Sequence, residues 1–380
     1  MLLSQETLAL AGEARALRRK LHRIPETGLE ETKTQRVVLD TLRVKGIDAQ
    51  MIAGTGVRAV IAGCLPGPVT ALRADMDALN IAEETGCGFE SEHPGLMHAC
   101  GHDGHMAALL CAAGLLVRNR ERLRGTVVLL FQPCEEQVRG ARQMISEGAL
   151  NNPSVDRIFA VHLMPQLQQG ALGVASGPVM AAALEFRMEI KGRSAHGAMP
   201  HMAVDAIAAA AQFVANAQAV VSRCKPPEEP GLLTFGKFSG GTRHNVIAGS
   251  VELEGTLRSY DDGLMARMKD RLLAHMRGTE EAWGVKASFE EISSVPVTVN
   301  DGGLALLARS VFPEACVDAG PLMVAEDFSL YCRQVPGFMG FLGCRSEEAG
   351  FTEPLHNPRF NFNEDALLTA VEFYKRLLID

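Results

Sequence analysis

Apolar residues in the first half of the chain follow two alternating rhythms. Residues 5–24 place Leu8, Leu10, Leu17 and Leu21 on or near one stripe, which predicts an amphipathic helix ended by Pro25. A second helix is expected over Glu30–Lys45, closing near Gly46. Short apolar runs follow, mostly bounded by glycine or proline: Val57–Ala62, Val69–Arg73, Val127–Phe131 and Ile158–His162. Helical patterns at Ala107–Arg118 and Ala141–Glu147 lie between them. Strands alternating with helices predict an α/β domain with a mostly parallel sheet. Such sheets present active sites where strand C-terminal ends meet loops.

From about residue 183 the rhythm changes. Leu184–Ile190 alternates like a half-exposed strand, and Met202–Arg223 reads as one long Ala-rich helix. Leu232–Phe238 and Val251–Leu257 read as strands around Gly240-Gly241, followed by a helix over Gly263–Arg277 and a strand over Val285–Ile292. The order βαββαβ predicts a ferredoxin-like domain. After Val295 the α/β style resumes. A small domain, 181–293, is therefore expected inside a larger one built from 1–180 and 294–380.

The 380 residues carry 37 Lys+Arg and 45 Asp+Glu, a net charge of −8. That balance speaks against nucleic acid or an anionic membrane as partner, since both call for a basic patch. The most apolar windows, Ala107–Val117 and Val127–Phe131, are shorter than the roughly 20 residues a spanning helix needs. Residues 1–6 lack a basic segment leading into an apolar core, so a cytoplasmic location is the expectation. The nine cysteines are odd in number and form no CxxC pair, which predicts free thiols rather than a disulfide framework.

The densest chemistry is the run Met97–His105, with His98, Cys100, His102, Asp103 and His105 spaced by two glycines. Sulfur and imidazole are good ligands for zinc-like ions. In an extended turn, Cys100 and His102 would point to one side. Asp75 and Asp77 follow an apolar run at i and i+2 and are expected to share a face. Glu135 and Glu136 follow the run Val127–Phe131 and diverge, so one can bind a metal while the other holds an attacking water.

At these residues the chain resembles the M20 family of metallopeptidases and amidohydrolases, in its aminoacylase, hippurate hydrolase and auxin-conjugate hydrolase branch. The resemblance is carried by Leu21–Glu26, Arg73–Leu79, Met97–His105, Phe131–Glu136, Gly192–His201, Asn245–Ile247, Ala325–Phe328 and Leu355-His356. It implies a zinc-peptidase-like catalytic domain, with the inserted domain as its lid. It implies Cys100, His102, Glu136, His162 and His356 as ligands of two divalent metal ions (zinc, manganese, cobalt or nickel), the Cys100 thiolate bridging them. It implies Glu135 as general base and Asp77 as the orienting carboxylate. Asp75 stands where related branches carry a histidine ligand and is left out of the set. His98 and His105 are candidates for orienting the ligands.

In the lid, the resemblance assigns His196 to the substrate carbonyl or its oxyanion, in some relatives from a neighbouring subunit, which implies a homodimer or higher homo-oligomer. Asn245 and Arg258 are implied to grip the substrate carboxylate, with His201 and His244 as further candidates. The chain departs from the branch at Asn80, Ala248, Cys134 and Gln137-Val138. The function expected is hydrolysis of N-acyl-L-amino acids by a metal-activated water with Glu135 as base. The alternatives are a carboxypeptidase or dipeptidase acting on short peptides with the same centre, or a non-catalytic metal-binding protein.

Overall fold

The computed structural model describes residues 3–380. Its first helix, Gln5–Leu8, is capped by the Ser4 hydroxyl, which accepts the Thr7 N–H. The helix does not run on to residue 24. The Leu10 N–H turns back to the Thr7 carbonyl, and a new helix, Ala11–His22, begins one residue later. Helix Thr32–Val44 follows.

An eight-stranded sheet forms the larger unit. Across it run Ala49–Ile52, Gly56–Ala62, Arg124–Gln132, Leu65–Asp75, Arg157–Gln168, Gly337–Arg345, Leu172–Val174 and Cys316–Asp318. Its centre is parallel: Leu65–Asp75 pairs in parallel with both neighbours, and Arg157–Gln168 with Gly337–Arg345. These central strands are apolar on both faces, as a sheet covered on both sides requires.

Helix His102–Arg118 is buried over nearly its whole length, from His102 to Leu116. From Met106 to Leu116 it is apolar all round, the mark of a core helix rather than a surface one. Burying it carries His102, Asp103 and His105, which share its first turn, into the core as well. The helix starts five residues earlier than the apolar pattern predicts, because those polar residues hide its first turn. Cys100 and His102 are therefore not alternate positions of an extended turn. Gly101 between them adopts φ +82°, and a Cβ there would meet Leu163 Cδ1 at 2.5 Å. The left-handed glycine, not strand alternation, sets how Cys100 and His102 are presented.

The second unit comprises Met180–Thr298 with Pro321–Ala325, and the larger one the chain up to Val179, Val299–Gly320 and Glu326–Asp380. The second unit's sheet is antiparallel throughout, in the order Gly231–Gly240, Ser250–Ser259, Ala182–Lys191 and Lys286–Val295. Helices Ala206–Ala217 and Asp262–Trp283 pack on it through Phe213, Leu264, Met268 and Leu272. The predicted helix from Met202 to Arg223 is shorter and divided. Asp205 caps it by accepting the Ile207 and Ala208 N–H groups, and it breaks at Gln218 before a last turn, Ala219–Ser222. Among the described residues, no helix is long and apolar enough to cross a membrane.

Candidate metal centre

Parallel strands bring their C-terminal ends to one side of the sheet, so distant residues meet there. Strand Leu65–Asp75 delivers Asp75, with Asp77 just beyond. Strand Arg124–Gln132 leads into Pro133-Cys134-Glu135-Glu136. His162 lies inside strand Arg157–Gln168, which runs six residues past the predicted end at that histidine.

The five predicted ligands converge. Cys100 Sγ lies 3.5 Å from His162 Nε2. His102 Nε2 lies 3.9 Å and His356 Nε2 lies 3.4 Å from Glu136 Oε1. The donor atoms of Cys100, Glu136 and His356 fall within 4.8 Å of one another, as do those of His102, Glu135 and Glu136. Glu136 thus belongs to two donor sets at once.

Hydrogen bonds aim these side chains. His102 Nδ1 donates to the Asp77 carbonyl at 2.8 Å, which leaves Nε2 facing Glu136. Asp77 Oδ2 accepts the Glu136 N–H at 3.0 Å, so Asp77 touches two of the predicted ligands. His162 Nδ1 donates to the Leu163 carbonyl at 2.8 Å, leaving its Nε2 toward Cys100. The Leu163 N–H in turn donates to His105 Nε2 at 2.9 Å. His105 must therefore carry its proton on Nδ1, 2.6 Å from Asp75 Oδ1. His105 and Asp75 back His162 through one peptide group. The other Asp75 oxygen is held by Arg73 at 2.6 Å. His98 differs: among the described residues neither of its ring nitrogens has a hydrogen-bond partner, and burial pushes it down to about 4.

The donor set fits a cation. His102 Nε2 and Glu136 Oε1 are buried without hydrogen-bond partners among the described residues. Such atoms are costly unless something satisfies them, and a divalent ion between them would satisfy both. Burial works against a charged His102, yet Asp75, Asp77 and Glu136 outweigh it and raise the imidazole to about 10. The surrounding carboxylates call for positive charge. Burial holds His162 neutral, down to about 3, as a ligand must be. Burial and then Glu136 raise the Cys100 thiol well above its usual range, so it becomes thiolate only beside a cation. Sulfur, imidazole and carboxylate together suit zinc and its first-row neighbours.

Glu135 is buried, and desolvation, then Glu326 and Glu136, raise its carboxyl well above the ordinary value. Behind it lies an arginine not picked out as a candidate from the sequence. Arg73 reaches Asp75, Glu326 at 2.9 Å, Asp327 at 3.2 Å and Gln132 at 2.9 Å. The available signal was a lone arginine ending an apolar strand.

The loop bearing Glu135 and Glu136 is bent. Cys134 has φ +55° and Val138 φ +58°. Glu31 accepts the Cys134 N–H at 2.9 Å, and a Cβ on Gly28 would meet Cys134 Sγ at 2.6 Å. A β-branched residue in the left-handed region is a strained one. Val138 stands where the resembling branch usually has glycine, and the backbone conformation explains that preference. Val138→Gly is expected to raise stability by about 0.5–1 kcal/mol, the relieved strain exceeding the added unfolded-state entropy. A lowered thermal midpoint would show that the valine is not strained.

The remaining predicted residues lie in the second unit. His196 ends the short strand Ala195–His196, which pairs with Val246–Ile247 beside Asn245. The Gly197 N–H donates to the Asn245 carbonyl at 2.8 Å, so His196 and Asn245 are neighbours, both exposed. His201 and His244 are exposed in the same unit. Half-buried Arg258, on strand Ser250–Ser259, donates to the Met323 carbonyl at 2.9 Å.

Known proteins resemble this chain in sequence and fold. The chain matches peptidase family M20/M25/M40 over residues 71–380. It is 40% identical over 370 residues to an N-acetyl-L-cysteine deacetylase of Bacillus subtilis (strain 168), covering 95% of this chain and 87% of that protein. It is 34% identical over 358 residues to thermostable carboxypeptidase 1 of Saccharolobus solfataricus, covering 92% and 91%. A solved Bacillus subtilis structure, described as a dinuclear metal binding peptidase from the M20 family, matches with TM-score 0.84 and 33% identity over 97% of this chain and 98% of that one. With its donor cluster at the strand ends of such a fold, this chain belongs to the M20/M25/M40 peptidase family of hydrolases.

Proposed function

We propose that the protein is a metal-dependent amidohydrolase that cleaves the amide of N-acyl-L-amino acids, with Glu135 as general base. The observation that carries this reading is the shared address of base and ligands: donor atoms of Glu135, Glu136 and His102 lie within 4.8 Å of one another. Cys100, His102, Glu136, His162 and His356 would hold two divalent ions (zinc, manganese, cobalt or nickel). Bound there, the ions would acidify a water and polarise the scissile carbonyl. Glu135 takes the proton as the water oxygen bonds to the carbonyl carbon. It then gives that proton to the amide nitrogen as the C–N bond breaks, releasing a carboxylic acid and an amino acid. Burial of Glu135 among carboxylates raises its proton affinity, which strengthens it as the acceptor of the water proton.

In this reading residues 181–293 act as a ferredoxin-like lid on a zinc-peptidase-like domain of 1–180 and 294–380. His196 supports the developing oxyanion, and Asn245 with Arg258 binds the free carboxylate, for which a planar guanidinium is suited. The protein works in the cytoplasm as a homodimer or higher homo-oligomer. The N-acetyl-L-cysteine deacetylase, at 40% identity, supports an N-acyl amino acid as substrate. The carboxypeptidase, at 34% identity, supports a second reading in which the acyl side is a peptide.

The test is hydrolysis of N-acetyl and N-benzoyl amino acids and dipeptides, before and after chelation, with metal content measured on the same samples. N-acyl cleavage that is lost on chelation and restored by metal is the expected result. Cleavage of dipeptides alone would favour the second reading, and cleavage indifferent to chelation would overturn both.

A further inference from the structure

A second group of metal-ligating side chains meets in the larger unit, apart from the five ligands above. His22 closes helix Ala11–His22, and its buried ring is engaged at both nitrogens. Nδ1 lies 2.8 Å from Asp103 Oδ2, and Nε2 lies 3.0 Å from Glu83 Oε1. Cys87 Sγ lies 3.7 Å from the same Glu83 oxygen. The three donor atoms of His22, Glu83 and Cys87 fall within 4.8 Å of one another. Glu83 and Cys87 belong to the irregular segment closed by the Leu79–Met97 bridge.

We propose that His22 Nε2, Glu83 Oε1 and Cys87 Sγ form a divalent-cation site of zinc type, separate from the catalytic cluster, that staples this segment to helix Ala11–His22. Zinc bonds of about 2.0–2.3 Å at tetrahedral angles put ligand atoms about 3.3–3.7 Å apart, and the observed spacings of 3.0 and 3.7 Å need only a small adjustment. Asp103 on the far nitrogen supplies the carboxylate that orients a ligating imidazole. The Asp103 charge is itself answered by Arg18 at 3.0 Å.

Charge balances in either state. With His22 protonated and no ion bound, an imidazolium faces the Glu83 carboxylate. With the ion bound, a dication faces the Glu83 carboxylate and the Cys87 thiolate, and two protons leave, one from His22 Nε2 and one from Cys87 Sγ. Half-buried Cys87 gives an ion a way in, and water can take the fourth position. Burial opposes charge on His22, but Asp103 and Glu83 outweigh it and raise the ring, so zinc must compete with a well-held proton. Zinc is therefore supplied in excess.

The inference goes beyond the proposed hydrolysis and does not depend on it. Wild-type protein and Cys87→Ser are dialysed to equilibrium against the same excess of zinc, and bound metal is counted. One equivalent fewer in the variant is expected, whatever number the catalytic cluster takes. In parallel, alkylation of Cys87 in the wild type is followed by peptide mass spectrometry with and without zinc. Zinc is expected to slow it at least several-fold while leaving exposed Cys64 unaffected. Equal zinc content in the two proteins, or Cys87 alkylation indifferent to zinc, would overturn the site.

Discussion

Glu135→Gln is expected to lower kcat on an N-acyl amino acid by about 10²- to 10⁴-fold while bound metal stays at the wild-type level. Glutamine keeps the volume of the side chain but cannot take a proton from water. The ligand atoms assigned to Cys100, His102, Glu136, His162 and His356 are untouched, and the hydrogen bonds aiming His102, Glu136 and His162 come from Asp77 and Leu163. Loss of turnover without loss of metal therefore separates a base from a ligand. Metal counting and initial rates on the same preparation make the measurement. Turnover like the wild type would remove Glu135 from the base role. A parallel loss of metal would instead make it a ligand, which its closeness to Glu136 and His102 allows geometrically.

The α/β class, the largely parallel sheet and the clustering of the donor residues were legible because they leave local signatures. Apolar runs such as Val127–Phe131 mark buried strands, and the density of His and Cys between Met97 and His105 marks a site wherever the chain carries it. What stayed hidden depends on three-dimensional context. Strand order is one case: Gly337–Arg345 lies between Arg157–Gln168 and Leu172–Val174, a placement no local pattern encodes. The start of helix His102–Arg118 is another, since burial by tertiary packing overrides the polar character of its first turn. His105 could be named as an orienting candidate, but only the Leu163 N–H at its Nε2 shows how it acts on His162. His98, named on the same grounds, makes no hydrogen bond at either ring nitrogen among the described residues. The difference between the two lies in the partners folding supplies, not in the motif.

The largest stability effect is expected at Arg73. Arg73 is 2% exposed, and its guanidinium ties together Asp75, Glu326 and Asp327, residues from two distant parts of the chain. Methionine would fill much of the space but leave three carboxylates buried without their common cation. Removing one partner of a buried ion pair costs about 3–5 kcal/mol, because the remaining charge cannot be solvated. Arg73→Met is therefore expected to lose at least that much in urea unfolding. Arg73→Lys should lose less than methionine but not behave as the wild type, since a single ammonium cannot present the planar fork that reaches all three acids. The pH dependence follows from Asp327, whose carboxyl burial already raises above its ordinary value although Arg73 opposes the shift. A carboxyl raised in the folded state binds more protons there than when unfolded, so it favours folding at low pH and weakens it as pH rises through and above the ordinary Asp range. Without Arg73 that shift grows. The deficit of Arg73→Met should thus be larger at about pH 8 than at about pH 5, where part of the charge is neutralised. A variant within about 1 kcal/mol of the wild type at both pH values would mean that the carboxylates do not depend on this guanidinium.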